Sequence, residues 1–269
     1  MLEYRSTKLI NASKPRMIDP SIIPTFHHSI LTTAFAIFFS ASASVCAEDD
    51  GWIALTDGAA MNVWQGRNSG WTVAGDAKLD SLNPRVLAAV PGKGVLISSL
   101  EGDHVFRNLA SEKLFADAEA HVEFLLPKGG NAGLKLQGLY EIQMKDSHGK
   151  KTPSASDCGG IYPRAELLPR YRTIDKGFPP RANAAKPAGT WQTLDIIFQA
   201  PRFDADGKKT KNARFVKVTL NGQVIHEDVE LKWPTGHAWR TKKEVPCGPL
   251  FLQGDHGPVA YRNVRIRPM

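Results

Sequence analysis

The chain has 269 residues, 42% of them hydrophobic and 23% charged, with a net charge of +7, enough apolar material to close a core and too much for a disordered chain. Its basic residues are scattered among acidic ones, without a Lys/Arg block or an interleaved aromatic stripe, which argues against a nucleic-acid-binding protein. The cysteines fit no zinc spacing.

Taken in chain order, the first feature is an address. Arg5, Lys8, Lys14 and Arg16 precede an apolar run over 30–39, and small residues then lead to Val45-Cys46-Ala47. This is the layout of a signal peptide over 1–47, cleaved after Ala47, and the run falls short of the ~20 apolar residues a spanning helix needs. The expectation is a chain exported to the periplasm or secreted, with no integral membrane segment in its mature part. Residues 48–269 then form one domain of 222 residues, a length β-sandwiches commonly use. Cys158 and Cys247 lie in Pro/Gly-rich segments; export would permit a disulfide between them, but the reading adopted is two free thiols.

Short strands follow, separated by turns, with hardly any helical periodicity. The expected strands are 51–55, 71–74, 78–80, 94–98, 115–126, 132–137, 140–145, 192–199, 215–220, 223–229, 250–253 and 259–267. Ala116, Ala118, Ala120, Val122 and Phe124 alternate with Asp117, Glu119, His121 and Glu123, the period of a strand with one buried face. Asn221-Gly222 between two alternating runs is a hairpin signal. Segments 147–190, 200–213 and 231–248 are long inserts, of the kind that rim functional sites. Asp204-Ala-Asp206-Gly207 reads as a plain turn, because a calcium-loop register would place Lys209 and Phe215 at its essential Gly and Glu positions. Many antiparallel strands with turn chemistry about every dozen residues predict an all-β sandwich or barrel.

The stretch GGNAGLKLQGLYEIQMKDS, 129–147, concentrates long polar side chains. Read as one strand from Leu134 to Lys145, it puts Leu134, Leu136, Tyr140, Ile142 and Met144 on one face and Lys135, Gln137, Glu141, Gln143 and Lys145 on the other. Such a face is either solvated or the floor of a groove for something rich in hydroxyls, since amides and carboxylates hold sugar hydroxyls while aromatic rings lie against C–H faces. Trp64 is the candidate platform, with core packing as its alternative; Trp71 reads as core. Asp255 and His256 sit in a Gly-flanked turn at a strand end, where a carboxylate can fix a histidine tautomer and raise its basicity.

GWIALTDGAAMNVWQG, GNAGLKLQGLYEIQMKDS, DCGGIYP, KPAGTWQTLDIIFQAPRFDADGKK, LNGQVIHEDVE and GPLFLQGDHGPVAYRNVRIRPM, in that order, resemble the 3-keto-disaccharide hydrolase domain family over nearly all of 51–269. The resemblance implies an antiparallel concanavalin-like jelly-roll sandwich and cleavage of glycosides oxidised to a ketone at C3. The C2 proton is then acidic, so a base can remove it, the aglycone leaves C1 by β-elimination, and water adds to the enone. It implies Glu141 or His256 as base, and Gln137, Gln143 and Asp255 on the hydroxyls; against the carbonyl stands His256 or Lys135, the latter read from its charge alone, since the family more often has an aromatic or aliphatic residue there. Glu141 and Gln143 match the family's Y-E-x-Q element. Gln253, Asp255, His256 and Gly257 match its L-Q-D-H-G element, with Gly254 inserted. The expected partner is an oligosaccharide or 3-keto glycoside, and no cofactor is expected. The lineage leaves room for a structural Ca²⁺ with unassigned ligands. Three alternatives stand: a lectin-like carbohydrate-binding module without activity; a structural domain of a cell-surface assembly, with Lys135, Gln137, Glu141 and Gln143 solvated on a convex face; and a two-carboxylate glycosidase using Glu123 and Glu141, which must lie about 5–9.5 Å apart.

Overall fold

A computed structural model describes residues 51–56, 60–65, 70–98 and 108–269; the expected signal peptide lies outside them. The strands in the first half are β1 (Ile53–Ala54), β2 (Trp64–Gln65), β3 (Trp71–Leu79), β4 (Leu87–Ser98), β5 (Leu109–Phe115), β6 (Ala118–Leu125), β7 (Asn131–Leu136) and β8 (Tyr140–Lys145). The second half adds β9 (Ala165–Glu166), β10 (Arg172–Thr173), β11 (Gln192–Gln199), β12 (Arg202–Phe203), β13 (Lys209–Lys211), β14 (Ala213–Leu220), β15 (Gln223–Leu231), β16 (Gly248–Leu252) and β17 (Val259–Pro268). A single-turn helix, α1 (Ala238–Thr241), interrupts the insert before β16.

These strands form the two antiparallel layers of a jelly-roll-like sandwich. The larger sheet runs β15-β14-β11-β6-β17-β4-β3, with β1 joined to β17; the smaller runs β2-β5-β16-β7-β8. Alternation dictates what meets between them. Val122 and Phe124 of β6 and Phe198 and Phe215 of the larger sheet are buried against Leu134, Tyr140 and Ile142 of the smaller. The Tyr140 and Phe198 rings lie 5.5 Å apart across the layers. Each such fully buried side chain contributes about 1.5–3 kcal/mol.

Several expected elements take a different form. The stretch 134–145 is a hairpin, not one strand, because Gln137 and Gly138 adopt φ of 56° and 64° and Leu139 N–H closes the turn on Leu136 O. The strands expected at 71–74 and 78–80 are one, β3, with a register shift between Ala74 and Asp76. β5, LASEKLF, has weak alternation and was not expected. Asn221-Gly222 turns β14 into β15 with both residues at positive φ. Asp204 makes the plain turn expected of it, its carboxylate accepting from the backbone of Asp206 and Lys208. Cys158 is a free, buried thiol and Cys247 is disulfide-bonded, so the reading of two free thiols holds for Cys158 alone.

Candidate active site

The outer face of the smaller sheet carries one continuous cross-strand row. Gln65 on β2 stands opposite Ala110 on β5, Ala110 opposite Phe251 on β16, Phe251 opposite Lys135 on β7, and Lys135 opposite Glu141 on β8. The row continues past the edge strand, since Tyr162 N–H donates to Glu141 O, 3.2 Å away. Paired strands hold opposite residues close enough for their side chains to interact. Accordingly the Lys135 ammonium lies 3.0 Å from the Glu141 carboxylate and 5.7 Å from the centre of the Phe251 ring.

An outer sheet face is ordinarily wet, yet the Glu141 side chain is only 6% exposed and that of Lys135 17%. The long inserts supply the walls. Thr235 accepts the Glu141 N–H through Oγ1 and donates its hydroxyl to Leu139 O, which pins 232–248 to β8. On the next row Gln143 donates to Asn131, 2.6 Å away, and between them Gly133 leaves the floor open. A Cβ there would stand 2.6 Å from a Glu141 carboxylate oxygen.

The Asp255 turn borders the same place. Ser98 Oγ lies 3.0 Å from Gly257 O, Gly254 N–H donates to Asn108, and Tyr261 donates to Gln253 O, so the turn with its extra glycine is fixed on three sides. Asp255 accepts from Asn108 Nδ2 with one oxygen and lies 2.5 Å from His256 Nδ1 with the other. That bond, foremost, holds His256 above the usual imidazole range, against burial, with the charges of Asp255 and Glu141 assisting and Lys135 opposing. Burial alone would raise the Asp255 carboxyl, but the bonds from His256 and Asn108 carry it below the usual carboxylate range. Burial, then the charges of Glu141 and Asp255, raises the Tyr261 phenol, so one buried hydroxyl senses both carboxylates. His237, in the 232–248 insert, is held low by burial and by Lys135 and Lys242, with Glu141 acting the other way.

Among the expected residues, Lys135, Glu141 and Gln143 thus share the outer face of the smaller sheet, and His256, held by Asp255, stands near enough to feel the charges of Glu141 and Lys135. Gln137 does not join them. It sits in the β7–β8 turn, its amide directed at the carbonyls of Phe115 and Pro246. Trp64 is fully buried, its indole N–H donating 2.9 Å to Leu55 O, so it is core and no sugar platform. Trp71 packs against Tyr261 with ring centres 5.9 Å apart, as core. Glu123 projects from the outer face of the larger sheet onto Arg262 and Asn263. The core separates it from Glu141, so the two cannot flank one glycosidic bond. Among the described residues no group of three His, Cys, Asp or Glu is placed to hold a metal ion.

Sequence reasoning missed Phe251, Asn108, Thr235 and Tyr162. Phe251 was legible, since it alternates with the core residues Leu250 and Leu252. The other three lie in or beside loops, where no period reveals direction.

Comparison with known proteins decides the lineage. The model of the 3-keto-α-glucoside-1,2-lyase-like domain matches residues 51–267. The chain belongs to that family. It is a carbohydrate-active domain. A candidate glycosyl hydrolase from Parabacteroides distasonis ATCC 8503 superimposes with a TM-score of 0.55 at 25% identity, covering 92% of this chain and all of that one. A second such protein from the same organism gives 0.47 at 18% identity, over 81% of this chain and all of that one. Alginate lyase Aly36B gives 0.40 at 11% identity, over 81% and 97% of the two chains. A comparison with curated proteins gave no match.

Proposed function

We propose that this chain is an exported enzyme that cleaves 3-keto glucosides by elimination and hydration. The observation that carries the reading is the walled Lys135–Glu141 ion pair bordered by an Asp255-oriented histidine. Family membership supports this choice of substrate class. With Nδ1 engaged by Asp255, His256 presents Nε2 as the base for the C2 proton. The C2–H electrons form the enolate, whose oxygen at C3 meets the Lys135 ammonium that Glu141 holds in place. The enolate then re-forms the C3 ketone as C1=C2 closes and the C1–O bond breaks, the aglycone oxygen taking a proton. Water adding across C1=C2 releases 3-keto-glucose. Gln143, Asn131 and Phe251 offer hydrogen bonds and a ring face to the sugar.

The test is to incubate purified protein with 3-keto-trehalose or 3-keto-lactose in D₂O. Early product should carry deuterium at C2. Cleavage without deuterium, or no cleavage, overturns the reading. His256→Ala and Glu141→Gln should each lose about 10²–10⁴-fold in rate while keeping the fold.

A further inference from the structure

Beyond the Glu141 edge lies a second cleft of about 310 Å³. Trp233 and Phe178 line it, together with Arg164, Tyr162 and Thr235. Tyr162 and Thr235 belong to both places, because each is hydrogen-bonded to the Glu141 backbone, one at its carbonyl and the other at its N–H. Trp233 is 52% exposed and Phe178 44%, and Tyr171, whose hydroxyl donates to that of Tyr162, is exposed as well. Such clustering of large apolar groups on a surface marks a binding site.

The chemistry is specific. The Arg164 guanidinium stands 5.7 Å from the Trp233 ring centre and 5.2 Å from that of Trp239, and Asp175 fixes it with a 2.7 Å bond from Nε. A half-exposed indole, with Lys209 Nζ also 5.6 Å from its ring centre, beside a fixed, planar donor suits a sugar ring, which offers C–H groups on its face and hydroxyls at its edge. The volume is sufficient for one sugar ring.

We infer that this cleft is the aglycone subsite, receiving a second pyranose ring while the 3-keto ring lies over Lys135 and Glu141. The inference rests on the reading above and deepens it, by assigning the residues that hold the second ring. Trp233 would be the platform that Trp64 is not.

Two substrates and one binding probe test it. With 3-keto-trehalose, Trp233→Ala should lose about tenfold to a hundredfold in kcat/KM, the worth of one well-packed apolar contact. With methyl 3-keto-α-glucoside, which has no second ring, it should stay within about twofold of the parent chain. Equal losses on both substrates, or none on either, overturn the subsite. If the parent chain cleaves neither, the function reading fails, and tryptophan fluorescence titrated with unoxidised trehalose decides the cleft separately. Saturable binding that Trp233→Ala weakens by a similar factor supports it. Absence of saturable binding, or binding indifferent to the substitution, overturns it. Phe178→Leu, which keeps apolar bulk but removes the ring, guards against a folding artefact and should give a smaller loss confined to the disaccharide.

Discussion

At the scale of single residues, Gly133 shows how much depends on an absent side chain. Its neighbours on β7 are ordinary, but a methyl group there would meet a Glu141 oxygen at 2.6 Å. Gly133→Ala should displace that carboxylate, and with it Lys135, costing about 10²-fold in turnover as small misplacements do. Its melting temperature should stay near that of the parent. A second residue-scale expectation concerns pH. A base must be neutral to act, and His256 is held above the ordinary 6.5 by its bond to Asp255. Activity should therefore fall as pH drops through a midpoint higher than that of a free imidazole. Asp255→Asn removes the raising group, so the rate–pH profile should shift its acidic limb to lower pH while the plateau falls. At this scale the sequence was legible wherever strand parity applied: Glu141 and Gln143 share a face of β8 by a period of two, whereas Lys135 meets Glu141 across the hairpin. Trp64 was misplaced because a tryptophan beside a turn looks alike whether its ring points inward or out. Only the 2.9 Å bond to Leu55 O distinguishes the cases.

At the scale of elements, the inserts are as much part of the site as the strands. Thr235 ties 232–248 to β8 by accepting the Glu141 N–H and donating to Leu139 O. Thr235→Val keeps the shape but leaves that buried N–H without a partner, which should cost about 1–3 kcal/mol in urea denaturation. Turnover should fall with it, since the same bond holds Glu141 at the edge of the groove. The element reading from sequence was accurate for β11, expected at 192–199 and found at Gln192–Gln199. It was weakest where the backbone departs from alternation. The turn at Gln137 reversed a chain that had been read as straight, yet the polar face survived, because the 137–139 loop returns Glu141 directly opposite Lys135. Gln137 alone was lost from the set.

At the scale of the whole molecule, stability and pH are linked through a buried histidine of the larger sheet. His226 on β15 is 3% exposed with Nε2 2.7 Å from Gly159 O. Burial, foremost, holds it below the ordinary imidazole value, the carbonyl bond opposes this, and Arg181 adds to the depression. Below about pH 6.5 the unfolded chain therefore takes up a proton that the folded one refuses, so stability is full above that pH and declines as pH falls. His226→Gln keeps an N–H for the carbonyl and should flatten the difference in melting temperature between pH 7.5 and pH 5. The sandwich itself was legible from twelve expected runs and their turns, and its lineage from six segments in order. Which loop covers which face was not, because contacts such as Thr235 with Glu141 join residues 94 positions apart.

The row from Gln65 to Tyr162 lies across the strands, and its spacing is set by ladder hydrogen bonds rather than by any visiting molecule. The entropy of bringing its side chains together is therefore lost during folding, and not again at every encounter with a sugar. A transition-state mimic would meet a preorganised cradle, and its affinity would report complementarity with little contribution from induced fit.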